Sequence, residues 1–142
     1  MNILIKSILL TLTFVLYTVT SFAQDKLSSK EEKKILENAE LYFEEGDLQN
    51  IPKAMELFEK LEANKPEDPY YKLMVGICYT QVNDKKEIAI QKLTEVKKMN
   101  PEFNLVNNYL GRAYAANHQF DTAIELFNQF LKAEDIDDET RL

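Results

Sequence analysis

The sequence predicts an all-α protein of three antiparallel helix-turn-helix hairpins, and three observations point there. The first is an internal repeat. Val75-Gly76, Tyr79, Ala89, Leu93 and Pro101 are echoed by Leu110-Gly111, Tyr114, Ala123 and Phe127. Gly76 and Gly111 stand 35 residues apart, as do Tyr79 and Tyr114, while Ala89 and Ala123 stand 34 apart. A period near 34 belongs to stacked helical hairpins. The second is apolar spacing of three and four residues throughout, with no run that alternates as a strand does. The third is composition: 45% hydrophobic residues with only 3 Gly and 4 Pro in 142 residues suits long helices in one domain.

The chain opens with Lys6, an uncharged run from Ser7 to Gln24, and an apolar centre from Ile8 to Leu16. Ser21-Phe22-Ala23 puts small residues at the two positions that a signal peptidase reads. Residues 1–23 are therefore expected to be a cleaved secretory signal. The competing reading is an uncleaved anchor, which this Thr- and Ser-studded run is barely long and apolar enough to be. No Cys lies near the cleavage site to take a lipid. Residues 24–29 are a short N-terminal segment.

The array is expected over 30–135, in units 30–66, 67–101 and 102–135. Ser28 and Ser29 each precede a Glu by three residues, so either Ser28–Glu31 or Ser29–Glu32 can form a capping box. Ile35, Leu36, Ala39, Tyr42 and Phe43 carry the first helix, and Gly46 can stop it. Asp47 to Pro52 reads as a turn, with Pro52 suited to a first helical turn. Ala54, Leu57, Phe58 and Leu61 line the second helix. The next unit opens at Asp68-Pro69, an N-cap and a first-position Pro. Leu73, Gly76, Ile77 and Tyr79 follow. Asn83-Asp84 makes the turn, and Asp84–Glu87 is a further capping pattern. Ile88, Ala89, Leu93 and Val96 pattern the fourth helix, closed by Asn100-Pro101. The last unit has Leu105, Tyr109, Leu110, Gly111 and Tyr114, a turn over Asn117 to Asp121, and then Ala123, Ile124, Leu126, Phe127, Phe130 and Leu131. Residues 136–142 read as an acidic tail or the start of a capping helix.

The formal charge is −7, and removal of residues 1–23 takes Lys6 and leaves −8, with 16 basic against 24 acidic residues. Such a surface repels phosphate backbones, which argues against nucleic acid as partner. One Cys allows no internal disulfide.

These residues resemble the tetratricopeptide repeat, whose pattern runs Leu-Gly, Tyr, Ala, Phe, Pro. The second and third units answer with the residues quoted above, Asp135 standing where the third unit's Pro would be. The first answers more loosely with Ala39, Tyr42, Ala54, Phe58 and Pro66, its turn stretched by three residues. The resemblance implies a right-handed α-solenoid. It implies that small Ala39, Gly76 and Gly111, with Ala54, Ala89 and Ala123 opposite, let paired helices approach. It also implies that Tyr42, Tyr79 and Tyr114 fill the grooves between hairpins, and that Phe58 and Phe127 are packing residues. A glycine within a helix costs about 1 kcal/mol against alanine, so two at one repeat position suggest a packing demand. A narrower resemblance rests on the exported start ending Phe-Ala-Gln, the run Tyr-Leu-Gly-Arg-Ala-Tyr and His-Gln-Phe-Asp. It is to Gram-negative envelope proteins in which such repeats precede a β-propeller and a peptidoglycan-binding domain of the outer-membrane-protein-A type.

Catalytic or metal chemistry finds little support. His118, the one histidine, lies in a turn with no His or Cys at ligand spacing. Cys78 reads as a core residue. Asp135, Asp137, Asp138 and Glu139 lack the glycine and register of a calcium loop. No cofactor, metal or catalytic set is expected, and the chain is read as no enzyme. The resemblance instead implies a partner groove along the first helices. There Leu36, Glu40 and Phe43, then Tyr70, Leu73, Ile77 and Gln81, then Leu105, Asn108 and Arg112 would face a protein or peptide. Leu105, Asn108 and Arg112 share one helix face; Asn108 could hold a peptide backbone and Arg112 a carboxylate. The carboxylate clamp of chaperone-binding relatives would need Lys, Asn and Arg at Leu36, Glu40, Met74, Leu105 and Tyr109, and none matches.

The expected function is an exported scaffold, periplasmic or associated with a Gram-negative outer membrane, that binds protein in envelope assembly or tethering and has no membrane span once the signal is cleaved. The alternative is a structural module packed on a downstream domain of the same chain. Phe127, Phe130 and Leu131 are expected to form an uncapped apolar face, to be covered by residues beyond Leu142, by a short helix from Asp137 onward, or by self-association with a second copy.

Overall fold

A computed structural model of the chain describes residues 26–82 and 85–139, the side chains of 134–139 excepted. The expected signal (1–23), the turn at Asn83-Asp84, its Asp84–Glu87 capping pattern and the side chains of Asp135, Asp137, Asp138 and Glu139 lie outside the described residues. Six helices run in order: α1 Ser29–Glu45, α2 Asn50–Asn64, α3 Pro69–Gln81, α4 Lys86–Met99, α5 Leu105–Ala116 and α6 Phe120–Glu139. Among the described residues there is no strand. Each helix packs on the next, α1 with α2, α3 with α4 and α5 with α6 forming the hairpins, and α3 also touches α5. This is the all-α hairpin repeat that the periodicity predicts.

Local chemistry sets the ends. Of the two possible capping boxes, the chain uses Ser28–Glu31. The Ser28 hydroxyl accepts from the Glu31 N–H, and the Glu31 carboxylate accepts from the Ser28 N–H at 3.0 Å. Gly46 ends α1 with φ +61°, a left-handed turn that only glycine makes without side-chain strain. The next helix begins at Asn50, inside the expected Asp47–Pro52 turn. Asp47 Oδ1 accepts from the Gln49 and Asn50 N–H groups at 2.8 and 2.7 Å, folding the turn early. Asp68 caps α3 through the Tyr70 N–H at 2.9 Å, with Pro69 at the first helical position. At the far end, α6 continues through Glu139. Residues 136–139 form the last described turn of α6.

The small residues answer for the hairpin packing. Ala39, Ala54 and Ala89 are fully buried, as is the Phe58 side chain. A Cβ on Gly76 would stand 2.8 Å from Leu93 Cγ, and one on Gly111 would stand 2.5 Å from Phe127 Cε1. The repeat thus seats one large side chain of the second helix on a bare backbone of the first, twice. Helix α3 is the centre of the molecule: every residue from Leu73 to Tyr79 is buried. A helix apolar all round is one packed on all sides.

Candidate functional site: the first-helix face and the polar seams

The expected groove residues divide into three groups. Glu40 and Tyr70 are brought together across hairpins, the Tyr70 hydroxyl donating to Glu40 Oε1 at 2.8 Å. Tyr70 stays 39% exposed and sets its ring edge against Phe58, centroids 6.4 Å apart. Burial, and then the bond to Glu40, push its hydroxyl up to about 12, so it acts as a donor and not as a phenolate. Leu105, Asn108 and Arg112 lie along α5. Leu105 is 41% exposed, and the Arg112 guanidinium stands 5.9 Å from the Tyr109 ring centre, a cation–π pairing that leaves its donors accessible.

Leu73 and Ile77 correct the expectation of an open groove there. They are 8% and 6% exposed and belong to the core, because α3 is surrounded by α2, α4 and α5. Gln81 lines a different feature. This is a cleft of about 680 Å³ between the end of α3 and the first hairpin's turn, bounded also by Gly46 to Gln49, Ile51, Pro52 and Val82. Leu36 and Phe43 are half-buried against the core.

The residues set aside for chemistry also have places. Cys78 is fully buried, and burial with the nearby Glu59 charge pushes its thiol up to about 12. Such a thiol forms no nucleophilic thiolate at neutral pH. His118 occupies the turn before α6 with φ +59°, its ring edge-on to Phe120. Among the described residues, no group of three His, Cys, Asp or Glu side chains is placed to hold a metal ion. No described helix is long and apolar enough to cross a membrane.

Sequence reasoning passed over the polar seams between hairpins. Glu62 of α2 is only 7% exposed. It accepts from Lys92 at 2.6 and 2.8 Å and pairs with Lys72 at 3.0 Å, while Lys72 also donates to Glu95 at 2.7 Å. Burial pulls the Lys72 ammonium down, but its bonds to Glu95 and Glu62 outweigh this and hold it above its ordinary value. Lys72 in turn holds the Glu95 carboxyl below the usual range. Beside it, Glu32 accepts from the Tyr71 hydroxyl at 2.6 Å and pairs with Lys65 at 2.7 Å, tying α1 to α3. Tyr79 likewise donates to Glu59 of the preceding hairpin. The signal was present in the sequence: Glu62 lies four residues after Phe58, on the apolar stripe of α2, and a carboxylate there needs partners.

The apolar end face also differs from expectation. Leu131 is exposed as expected. Phe127 is half-buried against Gly111, and Phe130 is also half-buried, its carbonyl accepting from Asn104 at 2.9 Å. Phe120 and Ile124 are exposed in their place.

No protein-family model matches this chain, and no curated protein is significantly similar to it.

Proposed function

We propose that this chain is an exported scaffold of tetratricopeptide-like hairpins that binds a protein or peptide partner in cell-envelope assembly or tethering. The observation that carries this reading is the pair of part-exposed polar clusters on successive first helices: Tyr70 bonded to Glu40, and Leu105 with Asn108 and Arg112. A flat aromatic anchor, an amide for a backbone and a guanidinium for a carboxylate are the groups that hold an extended peptide. Helical-repeat arrays use such a rigid, preformed face, so little ordering opposes binding. The uncharged Ser7–Gln24 run, with its apolar centre from Ile8 to Leu16 and Ser21-Phe22-Ala23, supports export.

Site-specific photo-crosslinking in intact cells tests the partner face. A crosslinker replacing Leu105 should capture one defined protein, lost on Arg112→Glu. The same crosslinker at Glu56, on the exposed side of α2, should not capture it. Equal capture from both positions, or capture indifferent to Arg112→Glu, removes this face from the site. Export is read separately: the mature chain should begin at Gln24 and appear in the periplasmic fraction.

A further inference from the structure

One position after its small packing residue, each first helix carries a side chain on the same side of the repeat: Glu40 after Ala39, Ile77 after Gly76 and Arg112 after Gly111. The row is acidic on α1, apolar on α3 and basic on α5. Its middle member is closed, Ile77 being 6% exposed, so it makes a floor between the two charges and not a pocket. The Tyr70 hydroxyl, which donates to Glu40, shows that this carboxylate is turned toward α3.

The charges on this row are free. Helices α3 and α5 together hold two charged residues, Lys72 and Arg112. Lys72 is closed in the seam with Glu62 and Glu95. Lys33, Glu37, Glu40 and Glu44 follow one another at four, three and four residues down one face of α1. Lys33 and Glu37 pair with each other at 3.8 Å, which leaves Glu40 and Glu44. Among the described residues, neither of these carboxylates nor the Arg112 guanidinium has an ion-pair partner.

Equivalent positions on α1 and α5 are two helix spacings apart, about 16–20 Å at the usual 8–10 Å each. An extended chain rises about 3.3 Å per residue and covers that span in about five or six residues. We propose that this face takes an extended peptide segment with a Lys or Arg on Glu40 and Glu44 and an Asp or Glu on Arg112, about five or six residues away. A uniformly basic segment would set a cation against Arg112, and a uniformly acidic one would set a carboxylate against Glu40. Each is opposed by a like charge, so the face selects a segment of mixed sign. Tyr70, 39% exposed on the helix between, offers its ring to the apolar residues that separate the two charges. The assignment rests on the partner-binding reading of this face and adds the partner's charge order.

Pools of synthetic peptides with blocked termini test it on the purified chain. Each pool is random and uncharged between two fixed residues about six positions apart: Lys with Asp in either order, Lys with Lys, or Asp with Asp. The Lys–Asp pool should be retained at least about tenfold over the like-charged pools. Arg112→Glu should turn the preference to the Lys–Lys pool, and Glu40→Lys made together with Glu44→Lys should turn it to the Asp–Asp pool. Helical circular dichroism checks that each variant folds. Glu40→Gln, which keeps an acceptor for the Tyr70 hydroxyl, should weaken retention of the Lys–Asp pool and serves if the lysine pair does not fold. A pool with Lys and Asp adjacent should be retained no better than the like-charged pools. Equal retention of all pools, no retention, or a preference that ignores the charge changes overturns the proposal. The partner-binding reading survives that result if the crosslinker at Leu105 still captures one protein that Arg112→Glu releases.

Discussion

Where the first hairpin meets the second, Glu62, Lys72, Lys92 and Glu95 close a neutral ionic quartet between α2, α3 and α4. One repeat later, where the second hairpin meets the third, the equivalent positions are Lys97, Asn107, Leu126 and Gln129. The architecture is the same and the chemistry is different. At this second seam Lys97 donates to Gln129 at 3.2 Å, and Asn107 Nδ2 donates to Asn104 Oδ1 at 3.0 Å. Asn107 Oδ1 is buried with no partner among the described residues. The repeat dictates where a polar group stands between hairpins, not which group it is. A seam of charges must be complete, since each buried ion depends on the others. A seam of amides tolerates an unpaired acceptor at a cost of about 1–3 kcal/mol.

The most severe way to break the comparison is Glu62→Ala. It leaves Lys72 and Lys92 facing each other with the carboxylate between them gone, and stability in urea unfolding should fall by about 3–5 kcal/mol. Lys97→Ala, one repeat on, should cost no more than about 0.5 kcal/mol. Equal losses at the two positions would show that charge does not distinguish the seams.

Acidity probes the same contrast without mutation. The Glu95 carboxyl is held low by Lys72, and that of Glu32 by Lys65 and then Tyr71. Their folded values lie below the ordinary 4.5, so the stability they contribute is present above that pH and lost as pH falls through the folded values. Lys72, held above its ordinary 10.5, contributes below that pH and loses its share as pH rises past it. Melting temperature should therefore be level between these limits and fall on both sides. Glu95→Gln should flatten part of the acid limb, whereas Gln129→Ala should leave its shape unchanged, because an amide does not titrate.

The hairpin interiors give a smaller difference. Gly76→Ala and Gly111→Ala each gain helix propensity and each force a side chain aside. The Phe127 ring over Gly111 is closer and stiffer than Leu93 over Gly76. Gly111→Ala should lose about 1–2 kcal/mol net and Gly76→Ala less, from overpacking that exceeds the propensity gain. A gain at Gly111 would mean that the third hairpin can open to admit a methyl group.

The smallest effect sharpens the contrast most. Asn107→Leu removes the orphaned carbonyl and keeps the branching, at the cost of the bond to part-buried Asn104 and some added bulk, so it should be neutral or stabilising by up to about 1 kcal/mol. Lys72→Leu at the equivalent position should destabilise, since it leaves Glu62 and Glu95 with one cation fewer. Chemical-denaturation midpoints moving in opposite directions would establish that the two seams differ in kind.

Much of the fold was legible because its signals are local. The Ser28–Glu31 box, Gly46, Asp68-Pro69 and the three- and four-residue apolar spacing act within a helical turn, and they place the helix ends to within a few residues. The glycine and alanine positions were legible because a repeat shows the same packing demand more than once. The site was less so. Leu73 and Ile77 carry the period of a groove-facing stripe, yet they are buried because α3 has neighbours on several sides, and a single helix's pattern cannot count its neighbours. Gln81 was assigned to the groove by the resemblance but lines the cleft against the first hairpin's turn, among residues about 30 positions away in the chain. Phe127 was expected both at a packing position and on the end face, and only the contact across the hairpin seats it on Gly111.

By itself the sequence determined that this protein is helical, that it repeats about every 34 residues, and which small residues let its helices close together. These follow from backbone hydrogen bonding and side-chain size, which are short-range. Only the tertiary structure decided that Glu62 would find two lysines from two other helices, that Asn107 would not find a second partner, and that Phe120 and Ile124 would stay exposed. Charge pairing and burial depend on what lies across the interface, and that is settled when the hairpins meet.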